Sequence, residues 1–426
     1  MAVDTSSKIL IVGAGCFGLS TAYHLLKRGF TSITILDRSS VLPAPDAAST
    51  DINKIVRSSY PDLFYSRLAR EAIEAWKDTS EWGDTYHESG VLVLGTGEAA
   101  YTDEAYINDV ALGARIEKFS SPDAIRTLFS GDIELGSFDG RTGYLNKDGG
   151  WAFAAQGVSR LQSKVEALGG KVIPGKAVTS LLQKDGKTSG VKCADGSEYE
   201  AELVVLASGS WTASTFTTLD LKKTCLATGQ SVAFIQLTPE EAKLYSNVPV
   251  YLDFESGFYM FPPNQDNIMK MSIHHSGHTW TSSTSSISTP RTKLSDGEDG
   301  LRVPKERIQA FRKHLQEVFP GLAKKPFSGT RLCWYTDSPD DDWIIGYHPT
   351  DSGIVFATAG SGHAYKFLPN IGKLVADAIQ GTLEPELVKK FALNREPNAS
   401  IPHSRPGQQP QELKLDELST PADLLP

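Results

Sequence analysis

The sequence predicts a mixed α/β (α+β) fold in two lobes, and three observations carry that prediction. An aliphatic run from Lys8 breaks into a glycine turn at Gly13; helix-patterned and strand-patterned segments alternate between Gly149 and Gly209; and the stretch from Cys225 to about Phe319 is rich in strands. The first is the most specific. KILIVGA has the β-branched and aliphatic character of a buried parallel strand, and Gly13, Gly15 and Gly18 follow at GxGxxG spacing ahead of a helix-patterned stretch. Gly13 permits the tight turn and Gly15 lets backbone N–H groups approach a pyrophosphate. Gly18 lets strand and helix lie close, and the helix N-terminus favours the anion. The next apolar strand, ITILD, ends at Asp37, about two dozen residues after Gly13. A carboxylate there accepts from a ribose hydroxyl and would repel a 2′-phosphate. Glycines punctuate many strand-to-helix turns, so GxGxxG by itself says little. Strand, glycines, helix, second strand and terminal acid in register point to a Rossmann-like dinucleotide site and argue against NADP, leaving NAD and FAD open.

A polar, proline-bearing loop follows, then an amphipathic helix in PDLFYSRLAREAIEAWKD, and then ESGVLVLG as a strand leaving the first lobe. Beyond Gly149 come a helix in FAAQGVSRLQSKVEALGG, a strand in KVIPG, a hairpin in AVTSLLQKDGKTSGVKCADG and a buried strand in ELVVLASG, which would complete a nucleotide-binding half. The second lobe reads as a mostly antiparallel sheet built from SVAFIQL, VPVYLDF, GFYMFPP and IMKMSIHH, with a helix in VPKERIQAFRKHLQEVF. Inside it, TWTSSTSSISTPRTKLSDGEDG is poor in apolar residues and is expected to be a mobile surface loop. RLCWYTDS, WIIGYHP and GIVFATAG return as strands before a helix in KFLPNIGKLVADAIQG, and a solvated tail or arm is expected from about Asn398. The lobes therefore interleave. Residues 1–90, 146–224 and 325–397 are expected to form the dinucleotide-binding domain, 91–145 and 225–324 the second domain, and 398–426 the C-terminal tail.

The chain's 426 residues suffice for two domains, each with its own core. Its net charge of −9, without a sizeable basic run, excludes nucleic acid and anionic membrane as expected partners. No apolar stretch is long enough to span a bilayer, and MAVDTSSK leads directly into the first strand without the features of a secretory signal. An intracellular protein is expected. Cys16, Cys193, Cys225 and Cys333 lack CxxC or metal-ligand spacing, so neither disulfides nor a metal are expected.

The sequence from Cys333, CWYTDSPDDDWIIGYHP, together with AGSGHAYKFLPNIGK, NKIVRSSY and the glycine turn, resembles the FAD-dependent amine oxidases of the monomeric sarcosine oxidase family. That family includes pipecolate, saccharopine and fructosyl amino acid oxidases, and the resemblance covers nearly the whole chain apart from the tail. It implies FAD, bound by a Rossmann-like lobe of the glutathione-reductase/D-amino-acid-oxidase type. It also implies a thioether between Cys333 and the flavin 8α-methyl group, although a buried cysteine is more often inert. The cofactor-binding positions it implies are Gly13, Gly15, Cys16, Phe17 and Gly18 in the first turn, and Asp37 and Arg38 after the second strand. Asn53, Lys54 and Val178 follow, then Ser208, Gly209 and Trp211, and finally Cys333, Gly360, Gly362, His363 and Lys366.

On the substrate side the resemblance assigns Arg57 and Lys366 to the substrate carboxylate. The planar guanidinium fork would fix both oxygens and aim the amine-bearing carbon at flavin N5. Lys270, on a strand where it alternates with apolar neighbours, resembles the family lysine over the other flavin face, whose charge stabilises superoxide as O₂ is reduced. His274 and Tyr259 resemble substrate-pocket residues. Fructosyl amino acid oxidases carry an acidic residue near the place of His274, which weakens that reading. Lys54, where sarcosine oxidases have arginine, is shared with the fructosyl enzymes.

The expected activity is oxidation of a secondary, N-substituted or cyclic amino acid by hydride transfer to the flavin, with imine hydrolysis and H₂O₂ production. The saccharopine, pipecolate and sarcosine type stands nearest. A fructosyl amino acid oxidase, a biosynthetic N-methyl amino acid oxidase and a non-oxidase flavin dehydrogenase are the alternatives. A monomer acting on a small amino acid and O₂ is expected. Because the chain ends in ADLLP rather than Ser-Lys-Leu, the cytoplasm is the expected compartment, with the peroxisome as the alternative.

Overall fold

A computed structural model describes residues 3–96, 100–282, 285–397 and 409–426. The first lobe is built on a six-stranded sheet in the order Ile344–Tyr347, Ile354–Thr358, Leu203–Leu206, Ile9–Val12, Ile33–Leu36 and Lys171–Ile173. It is parallel except at the Ile344–Tyr347 edge, with Ile9 level with both Ile33 and Leu203. Every residue of Ile9–Val12 and of Leu203–Leu206 is buried, which explains their unbroken apolar runs: a sheet covered on both faces has no solvent side to alternate towards. Helix Cys16–Lys27 covers one face and packs on helices Ile371–Gln380 and Ala154–Ala167. Apolar residues of the antiparallel ribbon Val178–Lys184, Lys187–Cys193 and Glu198–Glu200 share a core with the other face.

The second lobe carries a ten-stranded, mostly antiparallel sheet, as expected. Val250–Asp253 runs parallel to Val91–Thr96, and helix Lys305–Val318 buries Ile308, Phe311, Leu315 and Val318, its i, i+3, i+7 stripe, against this lobe's core. A small sheet, Lys54–Val56 with Gly150–Ala152 and Tyr86–His87, carries Lys54 and delivers the chain to Arg57.

Three expectations need correction. Strand Gly329–Asp337, expected with the dinucleotide-binding segments, pairs with Leu226–Gln236 in the larger sheet, from Leu226↔Asp337 to Phe234↔Gly329. Local alternation marks a strand but does not name its partner. The stretch expected to be a mobile loop is ordered in its described second half. Ser288, Arg291 and Thr292 are buried, Thr292 caps a turn of helix at Lys293–Asp296, and Arg291 O accepts a hydrogen bond from Trp334 Nε1 at 2.6 Å. The expected solvated tail packs down in its described part. Gln411–Glu412 pair with His278–Thr279, Leu413 and Leu418 are buried in the second core, and Phe327 N donates to Leu424 O. Two leucines and a backbone ladder outweigh the polar composition around them. No helix among the described residues is long and apolar enough to cross a membrane, and none of their acidic, His or Cys residues cluster as a metal site.

Candidate active site

A cavity of about 750 Å³ opens beyond the carboxyl ends of the parallel strands, where open α/β sheets bind ligands. Gly13, Gly15, Cys16 and Phe17 line it at the head of helix Cys16–Lys27. Asp37, Arg38, Val178, Ser208, Gly209, Trp211, Gly360 and Gly362 line it elsewhere. Gly13 sits at φ +112°, and a Cβ there would lie 2.4 Å from the Ala207 carbonyl oxygen; a Cβ on Gly18 would lie 1.9 Å from that of Gly13. Gly18 thus acts behind the wall, holding helix to strand. The Asp37 carboxylate accepts from the Ala14 and Ser39 amides, each at 2.8 Å, and the Arg38 guanidinium lies 4.4 Å over the Trp211 ring. Thr289, Pro290, Leu294 and Ser295, from the loop expected to be mobile, close the outer wall.

A second cavity of about 130 Å³ adjoins the first, because Lys54, Tyr335, Ser361, Gly362 and Tyr365 line both. The structure brings Arg57, Lys366, Tyr259 and His274 together on this smaller cavity. Arg57 is buried; its Nη1 donates to Ser59 O and its Nη2 to Tyr101 Oη at 3.2 Å. Lys366 Nζ donates to Tyr60 Oη at 2.6 Å and to His363 O at 2.7 Å. Burial, reinforced by the Arg57 charge, pushes the Lys366 ammonium well below the ordinary lysine range. Neither cation forms a salt bridge with a described residue, and a buried cation without a counter-ion is costly unless something anionic arrives.

The backbone behind Arg57 is fixed from the second lobe. Asp109, fully buried on helix Ala100–Ala111, accepts from Ser58 Oγ at 2.6 Å, Ser59 Oγ at 2.7 Å, Asn146 Nδ2 at 3.0 Å and Tyr144 Oη at 3.3 Å.

The remaining expected site residues lie off the larger cavity. The His363 side chain, expected at the cofactor, faces the smaller cavity, as does Lys366. Lys270, Asn53 and Cys333 line neither cavity. Lys270 does not alternate out to solvent, since residues on both sides of its strand are covered. Its Nζ donates at 2.7 Å both to Asp51 Oδ2 and to the Asn53 carbonyl, with Lys54 Nζ 3.2 Å from the same carboxylate oxygen. Burial draws Lys270 down to about 8 against the pull of Asp51, with Lys54 adding to the fall. Cys333 Sγ lies 3.5 Å from Lys54 Nζ, one residue behind the shared wall. Asp51, in a polar loop, and Tyr101 and Asp109, on helix Ala100–Ala111, carry no local pattern that marks them as site residues. Tyr60 was within a recognised motif, but nothing local set it apart.

Fold and cavities define a two-lobed, dinucleotide-binding protein. A family model described as FAD dependent oxidoreductase matches residues 8–378, and the chain belongs to that family. It is 32% identical to the L-saccharopine oxidase of Schizosaccharomyces pombe, over 89% of this chain and 92% of the relative. Among solved structures it resembles fructosamine oxidase (Amadoriase II) of Aspergillus fumigatus, with 30% identity, a TM-score of 0.80 and coverage of 92% and 90%. It also resembles the fructosyl peptide oxidase of E. terrenum, with 28% identity, a TM-score of 0.85 and coverage of 98% of both chains. The amine oxidase resemblance read in the sequence therefore holds. The larger cavity fits FAD: the tight Gly13 turn, the helix N-terminus and the Asp37 carboxylate are the parts that a pyrophosphate and a ribose require.

Proposed function

We infer that this FAD-dependent enzyme oxidises a secondary, N-substituted or cyclic amino acid, using O₂ and releasing H₂O₂, and that it holds the substrate carboxylate between Arg57 and Lys366. The observation that carries this reading is the convergence of two buried cations, unpaired among the described residues, on a cavity contiguous with the cofactor cavity. Arg57 supplies the fork that fixes both carboxylate oxygens, and Lys366 the point charge. The rings of Tyr259, Phe254 and Phe261 keep water from the reacting carbon. The bound nitrogen must be neutral, since its lone pair supports loss of hydride from the adjacent carbon. Bound FAD supplies the hydride acceptor and the route of both electrons to O₂. Asp51 and the Asn53 carbonyl hold the Lys270 ammonium in one place, suited to stabilising the charge of reduced oxygen.

The name of the S. pombe relative supports a substrate of saccharopine, pipecolate or sarcosine type. Lys54 and the structural neighbours support the second reading, a fructosyl amino acid oxidase. The proposal includes an FAD-binding domain of 1–90, 146–224 and 325–397, which contributes strand Gly329–Asp337 to the second sheet, and a monomer in the cytosol, with the peroxisome as the alternative.

The test is H₂O₂ release by the purified yellow protein with sarcosine, N-methyl amino acids, pipecolate, saccharopine, proline and fructosyl amino acids. Turnover of a secondary amino acid supports the first reading, and turnover of fructosyl amino acids alone supports the second. Anaerobic bleaching without peroxide would make the protein a dehydrogenase.

The same reading joins the flavin to Cys333, whose sulfur lies 3.5 Å from Lys54 Nζ, a side chain that lines both cavities. Acid precipitation is then expected to leave the flavin on the parent protein and to release it from Cys333→Ala. Release from the parent would show that no such bond exists.

A further inference from the structure

Tyr60 stands between the two cations of the smaller cavity. Its ring lies under Arg57, with the guanidinium carbon 4.4 Å from the ring centroid, and its hydroxyl receives the Lys366 Nζ hydrogen bond at 2.6 Å. The direction of that hydroxyl is fixed by His363. His363 Nε2 lies 2.9 Å from the Asp341 carbonyl oxygen, which can only accept, so Nε2 carries the ring proton. Burial and the nearby Lys366 push His363 down to about 3, so the imidazole is neutral and Nδ1 carries a lone pair. Nδ1 lies 3.2 Å from Tyr60 Oη, so the tyrosine donates its one proton there and turns its oxygen lone pairs towards Lys366. The imidazole is itself held by stacking on Trp343, centroids 5.4 Å apart and rings 21° from parallel. In its ammonium form, which an incoming carboxylate favours, Lys366 spends two hydrogens on Tyr60 and on the His363 carbonyl and keeps the third for the ligand.

We propose that Tyr60 is a positioning residue that couples the two carboxylate-binding cations, holding Arg57 on its ring and Lys366 on its hydroxyl, with the His363 tautomer setting the hydroxyl's direction. The proposal rests on the carboxylate-clamp reading above. In this arrangement the substrate carboxylate meets two basic side chains already aimed, and the cost of orienting a flexible lysine is met before binding.

The test is a double-mutant cycle on the holoenzyme, read as the dissociation constant of acetate from its perturbation of the flavin absorbance. Tyr60→Phe keeps the ring and removes the hydroxyl; Lys366→Met removes the cation. Tyr60→Phe is expected to weaken acetate about tenfold and Lys366→Met about a hundredfold, with the double variant no weaker than Lys366→Met. Tyr60→Leu, which also loses the ring, is expected to weaken acetate further than Tyr60→Phe, and to do so in the Lys366→Met background as well. Effects of Tyr60→Phe and Lys366→Met that simply multiply would overturn the coupling while leaving the clamp standing. Unchanged acetate binding in both Lys366→Met and Arg57→Met would overturn the clamp and the coupling together. If Tyr60→Phe yields no yellow protein, His363→Phe, which strips the hydroxyl of its acceptor, carries the same comparison with the same outcomes.

Discussion

Arg57→Met is expected to lower kcat/KM for the substrate roughly 100-fold, corresponding to about 3 kcal/mol for removing one partner of a buried, charge-assisted pair. Most of the loss is expected in KM, because the carboxylate is bound before and during hydride loss alike. Arg57→Lys should recover only part of it. An ammonium cannot reproduce the fork, and the sites that now receive Nη1 and Nη2, Ser59 O and Tyr101 Oη, are spaced for a guanidinium. Steady-state kinetics beside anaerobic substrate titration decide the matter. Equal KM values in parent and Arg57→Met would remove Arg57 from the substrate site. Because Asp109 fixes Ser58 and Ser59 independently of the guanidinium, the local backbone is expected to survive the substitution.

Lys270→Met is expected to slow reoxidation of the reduced enzyme by O₂ about 10²- to 10³-fold while changing the rate of reduction by substrate only a few-fold. The lysine lies behind the cavities rather than in them, and Asp51 keeps Lys54 as its counter-ion when Lys270 is gone, so no buried carboxylate is stranded. The pH dependence follows from the Lys270 value of about 8. Below it the ammonium is charged and oxygen reduction is supported; as pH rises through it the charge is lost and the oxidative rate should fall. Stopped-flow mixing of reduced enzyme with O₂ across this range should show the decline in the parent and a flat profile in Lys270→Met. A decline of the same size in both would place the titrating group elsewhere.

The first 37 residues were legible because their message is local: an apolar run, glycines at fixed offsets, an acid at a strand end. The cations of the small cavity were legible only through the motifs around them, since a buried lysine and a surface lysine look alike in sequence. What could not be read were relations across the chain. Asp109 gives no sign that it will bind Ser58 and Ser59, nor Asp51 that it will pair with Lys270, because these contacts are made by the fold, not by spacing. The loop before Leu301 and the arm after Gln409 misled for one reason: polar composition argues for solvation, yet Ser288, Arg291, Leu413 and Leu418 are buried through backbone and side-chain partners far away in sequence. The alternation around Lys270 leaves solvent and interior both open, and only the fold, which covers both faces of its strand, shows that the lysine is buried.

The strand order of the six-stranded sheet carries a consequence for how the protein is made. Ile9–Val12 has Leu203–Leu206 as a neighbour, and that strand waits in turn for Ile354–Thr358. The sheet's centre therefore cannot close until most of the polypeptide has been synthesised, and its folding is governed by pairings between distant segments, the slow kind. An N-terminal fragment with a complete glycine turn but ending before Ile354 would expose one edge of its central strands. Such a fragment is expected to aggregate rather than to hold a nucleotide.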